Sequence, residues 1–173
     1  MSSEEYVRLY DKYGRSLMSE VARDLGHPPV ASAVVYQTDR YTIAKRYDES
    51  KDKWVRIVKE KKGVDDASVI QSAFDYINSS NGGHLYISRG TYTIDSTLTY
   101  DTAGTAGLHL SGAGARNTIL SKSFDGTCLE ITEHAHQDFA GVVIEGIFVH
   151  GNDNDGDAIY IKASGDFAYN LTM

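Results

Sequence analysis

The sequence predicts a mainly β fold in which short strands coil and stack on one another behind a capping helix. Two observations lead to this prediction. From Leu85 onward, short apolar segments are separated by Gly, Asp, Asn and Thr, and they return at similar spacings. Just before them, residues 66–79 carry apolar side chains every three or four positions, as a helix does. The 16 glycines and only two prolines agree with many turns and strands.

Residues 1–29 are predicted to be an N-terminal helical anchor, with the helix itself over residues 2–25. Ser2 and Glu5 have the spacing of a capping box, and Gly26 precedes two prolines that end the helix. One helix face is apolar and rich in tyrosine. This stripe consists of Tyr6, Tyr10, Tyr13, Leu17 and Val21. The stripe leaves two interpretations open, packing on the rest of the chain or docking on a partner or on further copies.

Residues 30–62 are predicted to form a small β meander. Its strands are Ala33–Tyr36, Tyr41–Tyr47 and Lys53–Val58, separated by polar turns. Lys59–Gly63 is expected to be a charged link into the next section.

Residues 63–173 are predicted to hold the second helix and the stacked strands. Asp66 is the expected N-cap of this helix, and Gly82 and Gly83 follow its end. Its buried stripe is predicted from the helical spacing of the apolar residues. The stripe comprises Val69, Ile70, Ala73, Phe74 and Ile77.

The predicted strands centre on apolar segments of three or four residues. They are residues 85–87, 108–110, 118–120, 128–131, 142–144, 147–149 and 158–161, with a last strand at Phe167–Leu171. Leu85, Leu108 and Leu129 form one series with steps of 23 and 21 residues. Ile94, Ile119 and Ile144 form a second series with two steps of 25. Two interleaved series favour a stacked coil over the alternative, an antiparallel sandwich.

Four motifs then occur in a fixed order. They are GVDDASVIQSAF at 63–74, GGHLYISRGTY at 82–92, LHLSGAG followed by TIL within 108–120, and VVIEGIFVHGN at 142–152. Together they resemble the opening of the pectate-lyase-like superfamily. This resemblance implies a right-handed single-stranded parallel β-helix with few rungs and an N-terminal cap helix. The segment departs from the family where Ser88 and Arg89 precede Gly90 without a proline.

The resemblance also carries expectations about function. Family members place their catalytic residues several rungs further along, so no catalytic residue is assigned, and we do not expect this chain alone to be catalytic. The meander resembles leader modules of viral tailspikes and fibres. We therefore expect a virion spike or fibre-type, or a cell-surface, structural protein with a polysaccharide-binding β-helix, assembled as a homotrimer. The alternative is the N-terminal fragment of a polysaccharide lyase or glycoside hydrolase.

The most polar cluster runs from residue 150 to residue 157. Its carbohydrate- or calcium-binding candidates are His150, Asp153, Asp155 and Asp157. A standard calcium loop does not fit, because aligning Gly156 with the invariant glycine puts Gly151 and Lys162 at ligand positions. A looser carboxylate site for Ca²⁺ or a sugar stays open. A tight turn, which Asn, Asp and Gly favour, is the preferred interpretation.

Other candidates are weaker. The two histidines of Glu133–Asp138 lack the further ligands that zinc needs, so a loop is expected there. Arg116, Lys122 and Lys162 are the cations that a lyase would use as its base, but surface positions are expected for all three. Cys128 is expected in the core.

Charge and hydropathy set limits on partners and location. The net charge of −7 argues against nucleic acid, and no apolar run is long enough for a membrane span. The first residues lack the features of a secretory leader, so an extracellular or virion location would have to be reached by another route. Apart from Ca²⁺, no cofactor is expected.

Overall fold

In a computed structural model, residues 31–48, 50–51, 53–102, 107–134, 142–164 and 171–172 are described. This part of the chain is mainly β and contains one helix. The predicted helix over residues 2–25, the loop around residues 135–140 and most of the predicted strand Phe167–Leu171 lie outside it.

The predicted meander is confirmed, with one change at its end. Strands β1 (Ala33–Gln37), β2 (Tyr41–Asp48) and β3 (Lys53–Lys61) pair antiparallel in sequence order. The expected charged link is shorter than predicted, because β3 continues until Lys61 pairs with Tyr41. Charged residues extend this strand because its end is solvent-exposed and the backbone ladder, rather than apolar burial, holds it.

Helix α1 runs from Asp66 to Ser79, as predicted, and its apolar stripe is buried. The predicted cap is wrong. Asp65 is the N-cap residue and makes no side-chain capping bond. The Asp66 side chain is instead fully buried and bonds to groups distant in the sequence, which a cap of the first turn does not do. The Phe74 ring packs edge-on against Tyr100, with ring centroids 5.8 Å apart.

The remaining strands follow in three sets of three plus a short last strand. The first set is β4 (Gly83–Ile87), β5 (Gly90–Ile94) and β6 (Leu98–Asp101). The second is β7 (Leu108–Gly112), β8 (Thr118–Lys122) and β9 (Leu129–His134). The third is β10 (Val142–Glu145), β11 (Phe148–His150) and β12 (Ile159–Ser164), followed by β13 (Leu171–Thr172).

Corresponding strands of successive sets pair in parallel. One seven-stranded sheet has the order β13-β10-β7-β4-β1-β2-β3, and two three-stranded sheets have the orders β11-β8-β5 and β12-β9-β6. The parallel pairing between the sets contradicts an antiparallel sandwich. Glycine is required where neighbouring sets come closest. At Gly112, the last residue of β7, an added Cβ would collide with the backbone oxygen of Gly146.

The two predicted series of strands are wrong in register. Leu85 pairs with Leu110 rather than Leu108, and Leu129 belongs to a different sheet from both. Ile119 pairs with Phe148, not with Ile144. The connections between strands differ in length, so a constant step along the sequence does not follow one sheet. Strand β6 was not predicted at all, because it has only two inward-facing apolar residues.

One apolar core lies between α1 and the inward faces of the three sheets. It includes Phe74 from the helix and Leu85, Leu120 and Ile131, one from each sheet. Cys128 lies in this core, as predicted, and burial raises the pKa of its thiol to about 11.

Each strand of the first set has one edge that faces away from the second set, which we call its near edge. A group from outside the set covers each near edge. Strand β1 pairs with the edge of β4 in parallel. At β6, the Gln71 side-chain amide donates to the Thr99 carbonyl and accepts from the Thr99 N–H, both at 2.9 Å. The amide therefore takes the place of a peptide group in a neighbouring strand.

The edge of β5 is covered by two side chains. Gln37 donates to the Thr91 carbonyl at 3.0 Å, and the Asp66 carboxylate accepts from the Thr93 N–H at 2.8 Å. The same carboxylate also accepts from Gln37, from the Thr42 hydroxyl and from the Gly63 N–H. Asp66 thus joins the meander, the helix and the first strand set through one buried group.

Candidate functional site

The predicted acidic cluster lies at the end of β11 and in the turn that follows it. His150 is the last residue of β11, and Asp153, Asp155 and Asp157 lie in the turn that leads to β12. All four side chains are exposed. The four candidate residues therefore lie on a solvent-accessible polar surface.

Backbone geometry and local hydrogen bonds give this turn its shape. Asn152 and Asp153 have left-handed backbone, with φ of 52° and 60°. The Asn152 amide donates to the Ser121 hydroxyl and the Lys122 carbonyl at 2.7 and 2.8 Å, which ties the turn to β8. The Asn154 amide donates to the Gly151 carbonyl within the turn. These features agree with the preferred interpretation of a tight turn built from Asn, Asp and Gly.

A buried lysine fixes the interior of the turn. Lys122 was expected at the surface, but its side chain is buried. Its ammonium donates to the carbonyls of Gly126 and Asp155, each at 2.6 Å. A buried ammonium needs such partners, since an unsatisfied charge in the interior is costly. The ammonium supplies positive charge where these two carbonyls converge, so Lys122 shapes the turn and is no exposed base.

The structure adds an aromatic neighbour to His150. Phe148 points to the same outer face of β11, and the two rings stack with centroids 6.0 Å apart and planes 22° apart. The Phe148 side chain is 47% exposed, so the ring is accessible from solvent. An exposed ring surface beside hydrogen-bonding groups can hold the apolar face of a sugar while carboxylates bond its hydroxyls.

No metal centre is found among the residues that the structure describes. Within them, no group of three or more His, Cys, Asp or Glu side chains is arranged to hold a metal ion. Most of the predicted Glu133–Asp138 segment lies outside the described residues. In the acidic turn, the backbone N–H of Asp155 donates to the Asp125 carboxylate at 3.0 Å.

A second polar constellation, which we call the histidine cluster, lies on the outer face of β4, β7 and β10. It consists of His84, His109, Ser111 and Glu145. The rings of His84 and His109 stack at 4.0 Å. His84 Nε2 lies 2.5 Å from the Ser111 hydroxyl, and His109 Nε2 lies 2.8 Å from the Glu145 carboxylate.

The two halves of the histidine cluster differ in what they can do. Ser111 and His84 are buried, so the hydroxyl does not reach a bulky substrate as a nucleophile. His109 and Glu145 are accessible, with side chains 36% and 56% exposed. This imidazole–carboxylate pair is able to exchange a proton with a bound ligand.

The sequence did not reveal Phe148, the burial of Lys122 or the histidine cluster. The last two depend on strand register, which brings together residues 25 to 36 positions apart in the histidine cluster. The available signal was the alternation within β11, where Phe148 and His150 are two residues apart and so share a face.

Comparison with known proteins yields no match to a family, a curated protein or a solved structure. In the described part of the chain, no helix has both the length and the apolar character required to cross a membrane.

Proposed function

We propose that the three strand sets are the opening turns of a right-handed parallel β-helix that belongs to the pectate-lyase-like superfamily. Two observations support this. Every strand from β4 to β9 pairs in parallel with the third strand after it. Helix α1 also contributes its apolar stripe to the end of the core, where a cap helix belongs.

We propose that the protein with this fold is a structural protein of the virion spike, fibre or cell-surface type. We further propose that it binds polysaccharide. The observation that carries this proposal is the exposed Phe148–His150 ring pair on β11, which a turn with three exposed aspartates follows. Stacked strands form a stiff support, and the ring pair lies on a strand rather than on a mobile loop. The protein therefore loses little conformational entropy when a glycan aligns along the face of β11.

Charge restricts which glycans fit this surface. Asp153, Asp155 and Asp157 follow the ring pair in the sequence, and the whole chain carries a net charge of −7. A polyuronate is repelled by this surface unless Ca²⁺ bridges the carboxylates of protein and glycan. We expect binding of a neutral glycan without metal and binding of a polyuronate only with Ca²⁺.

Affinity electrophoresis tests this proposal. The full chain is run in native gels containing dextran, polygalacturonate or alginate, with Ca²⁺ or with a chelator. Retardation in at least one gel is expected, and Phe148→Ala should abolish it. Tyr41→Ala is the matched control, since Tyr41 is an exposed aromatic residue of the meander. No retardation in any gel, or equal loss with both variants, contradicts the proposal.

The homotrimer stays part of the proposal and needs its own test. Tyr160, on the outer face of β12, is 45% exposed and pairs in register with Glu130. An exposed aromatic residue on a regular face is a candidate contact between copies. Sedimentation equilibrium should give three times the chain mass of 19.0 kDa, and Tyr160→Lys should lower it without changing glycan retardation. A monomer in the unsubstituted chain contradicts the trimer.

The alternative is the N-terminal fragment of a polysaccharide lyase or glycoside hydrolase. The observation in its favour is the accessible His109–Glu145 pair. Incubation with polygalacturonate and alginate, followed by absorbance of the unsaturated product and by a reducing-sugar assay, should give no turnover. Turnover that disappears in Glu145→Gln supports the enzyme instead.

A further inference from the structure

Lys122 occupies an inward position at which the first strand set has an apolar residue. Strands β5 and β8 pair so that Ile94 lies opposite Lys122, and both side chains are fully buried. Packing alone stabilises a buried isoleucine, whereas a buried ammonium is costly unless hydrogen-bond acceptors surround it. The two strand sets therefore have to differ in what surrounds this position.

They differ in the turn that follows the strand. The turn between β5 and β6 is residues 95–97, whereas residues 123–128 follow β8 and residues 151–158 follow β11. We call these two longer segments the paired turns. They contain four aspartates and no lysine or arginine. The paired turns thus have no cation of their own, and Lys122 directly precedes the first of them.

Backbone contacts hold the paired turns together. The Gly126 N–H donates to the Asp155 carbonyl at 2.8 Å, and the Cys128 N–H donates to the Asp157 carbonyl at 2.9 Å. At Gly156, an added Cβ would collide with the Gly126 carbonyl oxygen. The paired turns are therefore closely packed, and their carbonyl groups point in fixed directions.

The Lys122 ammonium lies where two of these carbonyls converge. It donates to the oxygens of Gly126 and Asp155, both at 2.6 Å. Two carbonyl dipoles that point to one place favour a positive charge there, and backbone carbonyls are ligands with which proteins hold Ca²⁺ and K⁺. The backbone carbonyl of Lys122 is bound as well, since the amides of Asn152 and Asn154 donate to it at 2.8 and 3.1 Å. Lys122 thus contacts the second of the paired turns through both its side chain and its backbone.

We propose that the carbonyls of Gly126 and Asp155 form a cation site and that the chain fills this site with its own Lys122 ammonium. The ammonium then has the role that a bound Ca²⁺ or K⁺ has in other turns, and the paired turns keep their shape without a metal ion. Ca²⁺ accordingly acts only at the outer surface, between the exposed aspartates and a ligand. Removal of the lysine side chain opens the site to a small cation from solution. The proposal concerns the interior of the turns and does not depend on glycan binding.

Hydrogen exchange of the full chain, followed by NMR, tests the site in Lys122→Ala. The readout is the exchange rate of the Gly126 amide divided by that of the Ser32 amide, which bonds to the His84 carbonyl far from the paired turns. A general loss of stability cancels in this ratio. We expect the ratio to rise by about tenfold or more, because two hydrogen bonds from a charged donor are lost.

Chemical rescue then identifies the missing group as a cation. n-Propylammonium chloride supplies the atoms that Lys122→Ala removes, and it should restore most of the protection of the Gly126 amide. KCl and CaCl₂ test whether a metal ion enters the same site. Tetramethylammonium chloride at equal concentration is the control, since this cation is bulky and has no N–H donor. The proposal is overturned if none of the first three salts restores protection, or if tetramethylammonium restores it equally.

Lys122→Met separates charge from packing, because methionine fills most of the space without a charge. It should raise the ratio as Lys122→Ala does, and propylammonium should not rescue it. Protection equal to that of the parent chain would show that no cation is needed, which overturns the proposal. Lys162→Ala, which removes an exposed lysine of β12, is the matched control and should leave the ratio unchanged.

The parent chain provides the last comparison. Its ratio should be the same in a chelator and in CaCl₂, because Lys122 already fills the site. A several-fold gain in protection with CaCl₂ would show that the paired turns still take a metal ion, and it overturns the proposal. If Lys122→Ala does not fold without added salt, its refolding yield with propylammonium and with tetramethylammonium replaces the ratio. Equal yields in the two salts overturn the proposal.

Discussion

The two ends of the strand stack are built differently. At the near end, strand β1, the Gln71 amide, Gln37 and the Asp66 carboxylate cover all three edges of the first strand set. In the third set, the described pairing of β11 and β12 is on one side only, and Phe148 and Tyr160 are exposed on its outer faces. A strand pattern alone therefore does not define an end. Groups from outside the strand set, here strand β1 and the side chains of Gln37, Asp66 and Gln71, do so.

The largest effect is expected from the apolar part of the near end. Phe74→Ala should lower the free energy of unfolding by about 3–5 kcal/mol, because it removes a fully buried ring from the core. Urea denaturation followed by circular dichroism measures this loss. A loss below about 1 kcal/mol would mean that α1 does not close the core.

The second-largest loss of stability is expected from the polar groups of the near end. Asp66→Ala leaves four donors without their shared acceptor and should cost about 3 kcal/mol. Asp65→Asn is the control, since Asp65 makes no side-chain capping bond, and it should stay within about 0.5 kcal/mol of the parent. Equal effects in the same urea titrations would contradict the role of Asp66.

A smaller effect is expected at the edge of β6. Gln71→Ala exposes both backbone groups of Thr99 and should cost about 1–2 kcal/mol. Gln71→Glu keeps an acceptor for the Thr99 N–H but loses the donor and places a carboxylate beside Asp75. Hydrogen exchange of the Thr99 amide should accelerate in Gln71→Ala and much less in Gln71→Glu. Unchanged exchange in both would show that the edge needs no cover.

The smallest effect on stability is expected at the third strand set. Phe148→Ala and Tyr160→Ala should each change the free energy of unfolding by about 0.5 kcal/mol or less, because both rings remain largely in water. Measured under the conditions used for Phe74→Ala, they complete the comparison between the two ends. A loss similar to that of Phe74→Ala would show that a further layer covers these rings.

Local patterns in the sequence predicted the local elements. Helix α1 and the meander were located to within a few residues, because a 3.6-residue period or an alternating strand needs no distant partner. Strand β6 was missed and the strand series were assigned to the wrong sheets, since connections of unequal length separate residues that pair. Register is a long-range property, and no short window of sequence contains it.

The candidate site shows the same division. The acidic turn was found because Asn, Asp and Gly act within a few residues of one another. The burial of Lys122 was not predictable, as its two acceptors come from separate turns that converge only when β8 lies beside β11. Asp66 was assigned to the helix end nearest in sequence, whereas its partners extend up to 29 residues away.

The contact between the Gln71 amide and Thr99 also predicts how freely each of these two positions can vary in sequence. Thr99 contributes only its backbone to this contact, and its side chain is exposed, so most residues other than proline should serve there. Gln71 has to present a donor and an acceptor at one fixed reach, which few side chains can do. In a saturation library selected for folding, position 71 in the helix should therefore accept few residues. Position 99 in the strand, which the amide protects, should accept many.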